Sequence, residues 1–241
     1  QLTIQAIQGR LGPLKKQLRE NYWLDPDRLN EIYRFRVEEY GEEALNQFNI
    51  YAESIPFYNL AKWLPDAAGY LAGNLGPSQM DTRFFAIGNL MAILMSLTTE
   101  RQSHKILNLI ELRWSDLIGH MPMKLCYPAV DGMEWQIVTG ADPKNRAWSY
   151  HNGGSWPVLL WMLTAAAKTM DRGELAHHAI AIAERRLKLE SWPEYYDGAE
   201  GRLIGKGARK FQTWTISGYL LAKEIIANPT HLKLMALAPE R

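Results

Sequence analysis

Three long stretches without helical periodicity, at about 63–81, 119–154 and 191–206, alternate along the chain with short helix-to-helix links near 97–100 and 171–174. Loops longer than roughly a dozen residues are uncommon in compact domains unless they carry function. Antiparallel helix pairs would place the short links at one end of a domain and the three long loops at the other. The sequence is therefore expected to be all-α, a helical bundle or an α/α toroid with a site on one face. A plain bundle accounts for the helices equally well, but not for aromatic-rich loops in alternate positions. No strict repeat at the roughly 30–45-residue periods of solenoids is present.

The helices are read from apolar spacing and end signals. "DPDRLNEIYRFRVEEYG" predicts a helix over 25–40, with Asp25 as N-cap, Pro26 in the first turn and Gly41 after the end. Leu29, Ile32, Tyr33, Val37 and Tyr40 form its apolar face. Residues 82–97 are apolar nearly all round, as in a buried helix. Thr99 and Gln102 form a capping-box pattern ahead of a helix over 100–118. Further helices are expected over about 155–170, 174–190 and 207–227. The best strand signal is a small hairpin in "EYYDGAEGRLIG".

Charge and cysteine content exclude several classes. The chain has 27 basic and 26 acidic residues, for a net charge of +1, and nucleic-acid binders usually carry a basic excess. A single cysteine, Cys126, rules out an internal disulfide and fits a reducing compartment. The longest apolar run, near 90–97, is far short of the roughly 20 residues needed to span a bilayer. The first residues lack a signal-peptide pattern. They open directly on an apolar-periodic stretch (Leu2, Ile4, Ala6, Ile7), as if cut from a longer chain. The expected protein is cytoplasmic, with no nucleic-acid or membrane partner.

Nine Trp and eleven Tyr are many for 241 residues. Aromatics bury large area in cores; clustered with carboxylates and amides on loops, they also suit sugar stacking. Three loop stretches combine them. In "PSQMDTRFFAIGN" (77–89), Asp81 and Arg83 precede a hydrophobic helix; Asp81 reads as an N-cap, a site residue, or both. In "GMEWQIVTGADPKNRAWSYHNGGSWP" (132–157), Glu134, Trp135, His151, Asn152 and Trp156 surround a Gly-Gly pair that permits close backbone approach. Ser155 would cap the next helix. The alternative is a long loop pinned by buried Trp side chains. In "SWPEYYDGAEGRLIGKGARKFQTW" (191–214), Glu194 lies between a Pro and two Tyr, while Arg209, Lys210 and Gln212 open the next helix. Asp197-Gly198 reads as a turn. No G-x-S-x-G, P-loop, H-E-x-x-H or C-x-x-C occurs. His177 and His178 point in different directions along a helix, so they do not form a metal pair. Cys126 reads as a core thiol. What remains is an aromatic face bearing carboxylates. Inverting glycoside hydrolysis uses two, an acid and a water-activating base, about 6.5–9.5 Å apart.

"NEIYRFRVEEY", "MDTRFFAIGNLMAI", "WSYHNGGSWPVLLW" and "SWPEYYDG" with "GRLIGKGARKFQTWTISGYL" together resemble the alkaline/neutral invertases, glycoside hydrolase family 100. The resemblance runs from about residue 20 to 229. It implies an (α/α)6 barrel, hydrolysis of sucrose to glucose and fructose with inversion at the glucosyl carbon, and no metal or other cofactor. It implies that Glu194 is the base. It also implies that Asp81, Arg83, Glu134, His151, Asn152, Trp156, Trp192, Tyr195, Arg209 and Gln212 bind sugar. The family's general acid is an Asp upstream of the matched part. On this reading residues 1–241 are a single portion of a catalytic domain, its C-terminal half. That portion is expected to be inactive alone, with sucrose as small-molecule partner and a homo-oligomeric whole. Two other readings stand beside it: a phosphorylase or epimerase on the same kind of toroid, and a non-catalytic sugar-binding module.

Overall fold

The computed structural model describes residues 3–33, 55–76 and 79–237. The second half of the helix expected over 25–40, with Val37, Tyr40 and Gly41, lies outside the described residues. The described residues fall into two compact units, one from 3–84 and 97–109, the other from 85–96 and 110–237.

The first unit begins with α1 (Ile4–Gln17), which a π-helical turn follows, and then β1 (Trp23–Leu24) and α2 (Pro26–Tyr33). Asp25 caps α2 as expected: its Oδ1 accepts from the Arg28 amide at 3.0 Å. Its Oδ2 accepts from Lys105 Nζ at 2.8 Å and Trp23 Nε1 at 3.1 Å. Burial would raise the carboxyl's pKa, but these three donors outweigh it and hold it below the usual range. After α3 (Phe57–Trp63) come β2 (Tyr70–Gly76) and β3 (Gln79–Phe85). β1 pairs antiparallel with β2 through Trp23–Leu71 and Leu24–Tyr70. β2 pairs antiparallel with β3 from Ala72–Phe84 to Gly76–Gln79, with a bulge between Ala72 and Asn74.

These strands overturn the all-α expectation and with it the (α/α)6 barrel as a description of this chain: the described fold is mixed. Tyr70 and Phe84, both fully buried, meet edge to face at 5.8 Å across the hairpin, and the Tyr70 hydroxyl donates to the Thr82 carbonyl. Gly69 allows the approach of β1, since a Cβ there would lie 2.4 Å from the Trp23 ring. The hydrophobic run over 82–97 is thus split between the end of a strand and a helix. β3 continues to Phe85, and α4 (Ala86–Leu94) begins after it. Asp81 sits within β3 and caps no helix. The Thr99–Gln102 capping box does form: the Thr99 amide donates to Gln102 Oε1 at 3.0 Å and the Gln102 amide to Thr99 Oγ1 at 3.2 Å. It opens α5 (Glu100–Leu112), and a break at Arg113 separates the short α6 (Trp114–Leu117).

The second unit is built round α8 (Leu160–Thr169), whose buried Leu160, Leu163 and Ala165–Ala167 pack against α4, α9 (Gly173–Leu187) and α10 (Thr213–Ala227). Small residues bring these helices close. α9 presents Ala176, Ala179 and Ala183 at helical spacing, and Gly218 of α10 lies against Val158, whose carbonyl would be 2.7 Å from an added Cβ. The remaining elements, β4 (Cys126–Tyr127) and α7 (Glu134–Thr139), lie on the long loop over 118–156. Ser155 does not cap a helix. Its backbone pairs with Tyr196, and its buried hydroxyl has no hydrogen-bond partner among the described residues.

Candidate active site

The octapeptide "SWPEYYDG" is laced into its surroundings by backbone hydrogen bonds on both sides. The Glu194 amide donates to Arg209 O at 2.7 Å, Phe211 N to Ser191 O at 2.7 Å and Gln212 N to Trp192 O at 3.0 Å. Tyr196 exchanges both backbone bonds with Ser155, at 2.8 and 2.9 Å, and forms an isolated bridge with Ile204. The expected hairpin is present in that reduced form. Asp197 makes its turn, with its carboxylate accepting from the Leu203 amide at 2.7 Å. Gly198 has no room for a side chain: a Cβ would stand 1.5 Å from the Gly153 carbonyl oxygen. The octapeptide thus rests directly on the Gly-Gly pair of the preceding loop.

Glu194 is 7% exposed, and its Oε2 accepts from the Arg209 amide at 3.3 Å. Burying an ionisable group is costly unless it is hydrogen-bonded, and this amide is one such partner. Beside it lies an aromatic cluster centred on Trp156. The Trp156 ring stacks on Tyr195 (5.5 Å, 19°), meets Trp214 edge to face at 5.4 Å, and sits 5.2 and 5.4 Å from Tyr150 and His151. Tyr150 and His151 stack at 4.0 Å, and Lys144 Nζ lies 4.6 Å above the Tyr150 ring. Trp156 Nε1 donates to Tyr150 O at 2.9 Å and the Tyr195 hydroxyl to Lys206 O at 2.6 Å. Burial lowers the His151 pKa, while the negative charge of Glu194 pulls it the other way. Burial likewise raises that of Tyr195, with Glu194 adding to it. The backbone around this cluster is strained. Trp148, Tyr150, Ser191, Trp192 and Phe211 all adopt positive φ, between 48° and 64°. Bulky residues rarely do so, at a cost of about 1–3 kcal/mol each, and such outliers gather at functional sites.

Of the sequence candidates, Glu194, Tyr195, His151 and Trp156 come together here. Arg209 meets Glu194 through its backbone, while its side chain is exposed; Gln212 is the residue preceding α10. Trp192 turns toward Tyr219, 5.5 Å away. Asn152 is buried and fully engaged with the loop: Nδ2 donates to Val130 O and Asn145 O at 2.8 and 3.0 Å, and Oδ1 accepts from Val130 N at 2.7 Å. Glu134 opens α7 on an exposed stretch. Asp81 and Arg83 belong to the first unit, where they pair with each other at 2.5 Å. Tyr150, Trp214 and Lys144 were not singled out from the sequence. Tyr150 stands within "WSYHNGG", next to His151, and adjacency was the signal available. Cys126 is a buried thiol as expected. No group of His, Cys, Asp and Glu suited to a metal occurs among the described residues, and no helix among them is long and apolar enough to cross a membrane.

Lys124 is a buried group the sequence did not flag. Among the described residues its Nζ hydrogen-bonds Ser115 O alone, at 3.3 Å, and burial lowers its pKa to about 8, with Asp116 and Asp197 opposing. The unfolded chain takes up this proton as pH falls through 10.5, whereas the folded one waits until about 8. Stability therefore drops across that window, by about 3 kcal/mol, and stays lower below it. Lys124→Met is expected to stabilise the protein by roughly 2–3 kcal/mol at pH 7 and by much less near pH 10. Urea unfolding of both proteins at the two pH values checks this; an equal gain at both would refute the burial argument.

A buried carboxylate clamped beside stacked aromatic rings is an arrangement suited to a sugar-acting protein, and comparison with known proteins points to the same class. The family model described as "Alkaline and neutral invertase" matches residues 1–229. The chain belongs to the alkaline and neutral invertase family. It is 56% identical to "Neutral/alkaline invertase 1, mitochondrial" of Oryza sativa subsp. japonica, over 94% of this chain and 36% of that protein. It is 53% identical to "Cytosolic invertase 1" of the same plant, over 99% of this chain and 42% of that protein. It is also 53% identical to "Alkaline/neutral invertase E, chloroplastic" of Arabidopsis thaliana, over 96% and 37%. The chain thus spans well under half the length of these three relatives. Their names cover three compartments, and the cytoplasmic expectation agrees with one of them.

Proposed function

We propose that this chain contributes the water-activating half of a sucrose-hydrolysing site. Glu194 carries the reading. It is a carboxylate in "SWPEYYDG", one of the stretches that resemble the family, nearly closed off from solvent, and fixed through the Arg209 backbone at both its amide and its Oε2. The names of the relatives supply the substrate class. In the proposed reaction Glu194 removes a proton from a water molecule, and that oxygen attacks the glucosyl anomeric carbon. The bond from this carbon to the fructosyl oxygen breaks as a second carboxylic acid protonates the leaving oxygen. That acid belongs about 6.5–9.5 Å from Glu194, with the water between them. Tyr195 and His151 flank the base, and the Trp156 cluster holds them in register. The sugar contacts proposed for Arg209, Gln212 and Trp192 fit their places on the strands of chain that Glu194 joins.

Inversion gives a direct test. Proton NMR of sucrose turnover by the active protein should show β-glucose first, with the α-anomer growing in only by mutarotation. First appearance of α-glucose would rule out the single-displacement role of Glu194.

A further inference from the structure

Behind the octapeptide, on a part of the second unit that shares no lining residue with the Trp156 cluster, lies a cavity of about 500 Å³. Three segments converge on it. Arg185 and Arg186 come from the last turn of α9, His120 from the stretch after α6, and Arg202 from the loop that carries Glu194. Among the described residues one carboxylate lines it, Glu190, and it is taken by Arg186 at 3.0 Å. Arg186 is otherwise committed to carbonyls, donating to His120 O at 3.1 Å and to Gly201 O and Arg202 O at 2.5 Å. Three donors then remain. The side chains of Arg185 and His120 have no partner among the described residues. Arg202 pairs at 2.5 Å with Glu200, with both ends more than half exposed, and exposed pairs of this kind contribute little.

We propose that this cavity binds a phosphate group, free or as a phosphate monoester, through Arg185, Arg202 and His120. Two guanidinium forks on separate segments suit the tetrahedral oxygens of a dianion, which accept paired charge-assisted hydrogen bonds. Of the two acids nearest these donors, Glu190 is already paired with Arg186, and Glu200 holds Arg202 only in an exposed pair that a dianion can displace. The apolar Ile182 side of the cavity leaves room for the organic part of a monoester. An occupant would bridge α9 and the loop bearing Glu194, bracing that loop through residues outside the aromatic cluster.

Calorimetric titration of the chain with inorganic phosphate, at ionic strength held constant with sodium chloride, tests this without any sugar turnover. Its outcome is therefore independent of the role given to Glu194. Saturable binding is expected, weakened about tenfold or more in the Arg185→Ala/Arg202→Ala double variant, as for the loss of two charged hydrogen bonds. Lys233→Ala, away from the cavity, should bind as the parent does. Both arginines are exposed, so the double variant should keep its melting temperature, which circular dichroism checks. A parallel titration with glucose 6-phosphate separates the two sources: tighter binding than phosphate assigns the site to monoesters, equal binding to the bare dianion. No saturable binding to either, or equal binding by the double variant, overturns the proposal.

Discussion

On the role proposed for it, Glu194→Gln in the complete protein is expected to remove sucrose turnover while leaving sucrose binding intact. Loss of a general base typically costs about 10²–10⁴-fold in rate. The amide keeps the size of the side chain, and its oxygen can still accept from the Arg209 amide, so the clamp on the loop survives. Initial-rate measurements beside calorimetric binding of sucrose separate the two effects. Near-normal turnover would sink the assignment of Glu194 as base. A non-catalytic sugar-binding protein predicts something different, with binding retained and no activity in either form.

The second large effect is expected at Arg186. Its guanidinium ties Gly201 and Arg202, on the loop bearing Glu194, to His120, holds Glu190, and covers the Tyr196 ring at 4.7 Å. The Tyr196 hydroxyl lies beside Glu190, and burial with that charge keeps its pKa well above the ordinary value. Arg186→Met would leave three carbonyls and a carboxylate without their donor, a loss of about 2–4 kcal/mol. Because Tyr196 is two residues from Glu194, the proposed base, kcat for sucrose in the complete protein should fall more than KM rises. Arg186→Lys should recover little of it, since one ammonium cannot replace a planar fork. The neighbouring Arg185→Met should change stability by no more than about 0.5 kcal/mol. Matching losses at both positions, or full rescue by Lys, would contradict the positioning role.

Which parts of this were legible beforehand follows from where the determining contacts lie. The caps at Asp25 and Thr99–Gln102 depend on residues three apart, and they were readable. The β2–β3 hairpin was not. β2 reads "YLAGNLG", its two glycines falling where a strand pattern would show β-branched residues, and its ring contact, Tyr70 against Phe84, joins residues 14 apart. The run after Asp81 looked like one helix because apolar residues fill both a buried strand and a buried helix. At the site, Glu194 stood out by its setting between Pro and two Tyr. Asn152 also stood out, but its three partners lie seven and 22 residues away, and no local pattern signals that they occupy its amide. Arg186 was invisible for the opposite reason. "ERRLKLE" reads as a solvated helix end, and nothing in it announces that one arginine turns inward to gather a loop.

The fixed amide of Asn152 bears on how the protein ages. Asn-Gly is the dipeptide most open to deamidation, because the glycine nitrogen can swing round to attack the side-chain carbonyl. Here Gly153 is buried and Asn152 is held by three hydrogen bonds, so that swing is blocked while the fold persists. Were the amide converted to a carboxylate, oxygen would face the Val130 and Asn145 carbonyls where nitrogen now donates to both. The loop beneath the Trp156 cluster would lose its anchor. Chemical damage at this bond thus becomes a record of how long the molecule has spent unfolded.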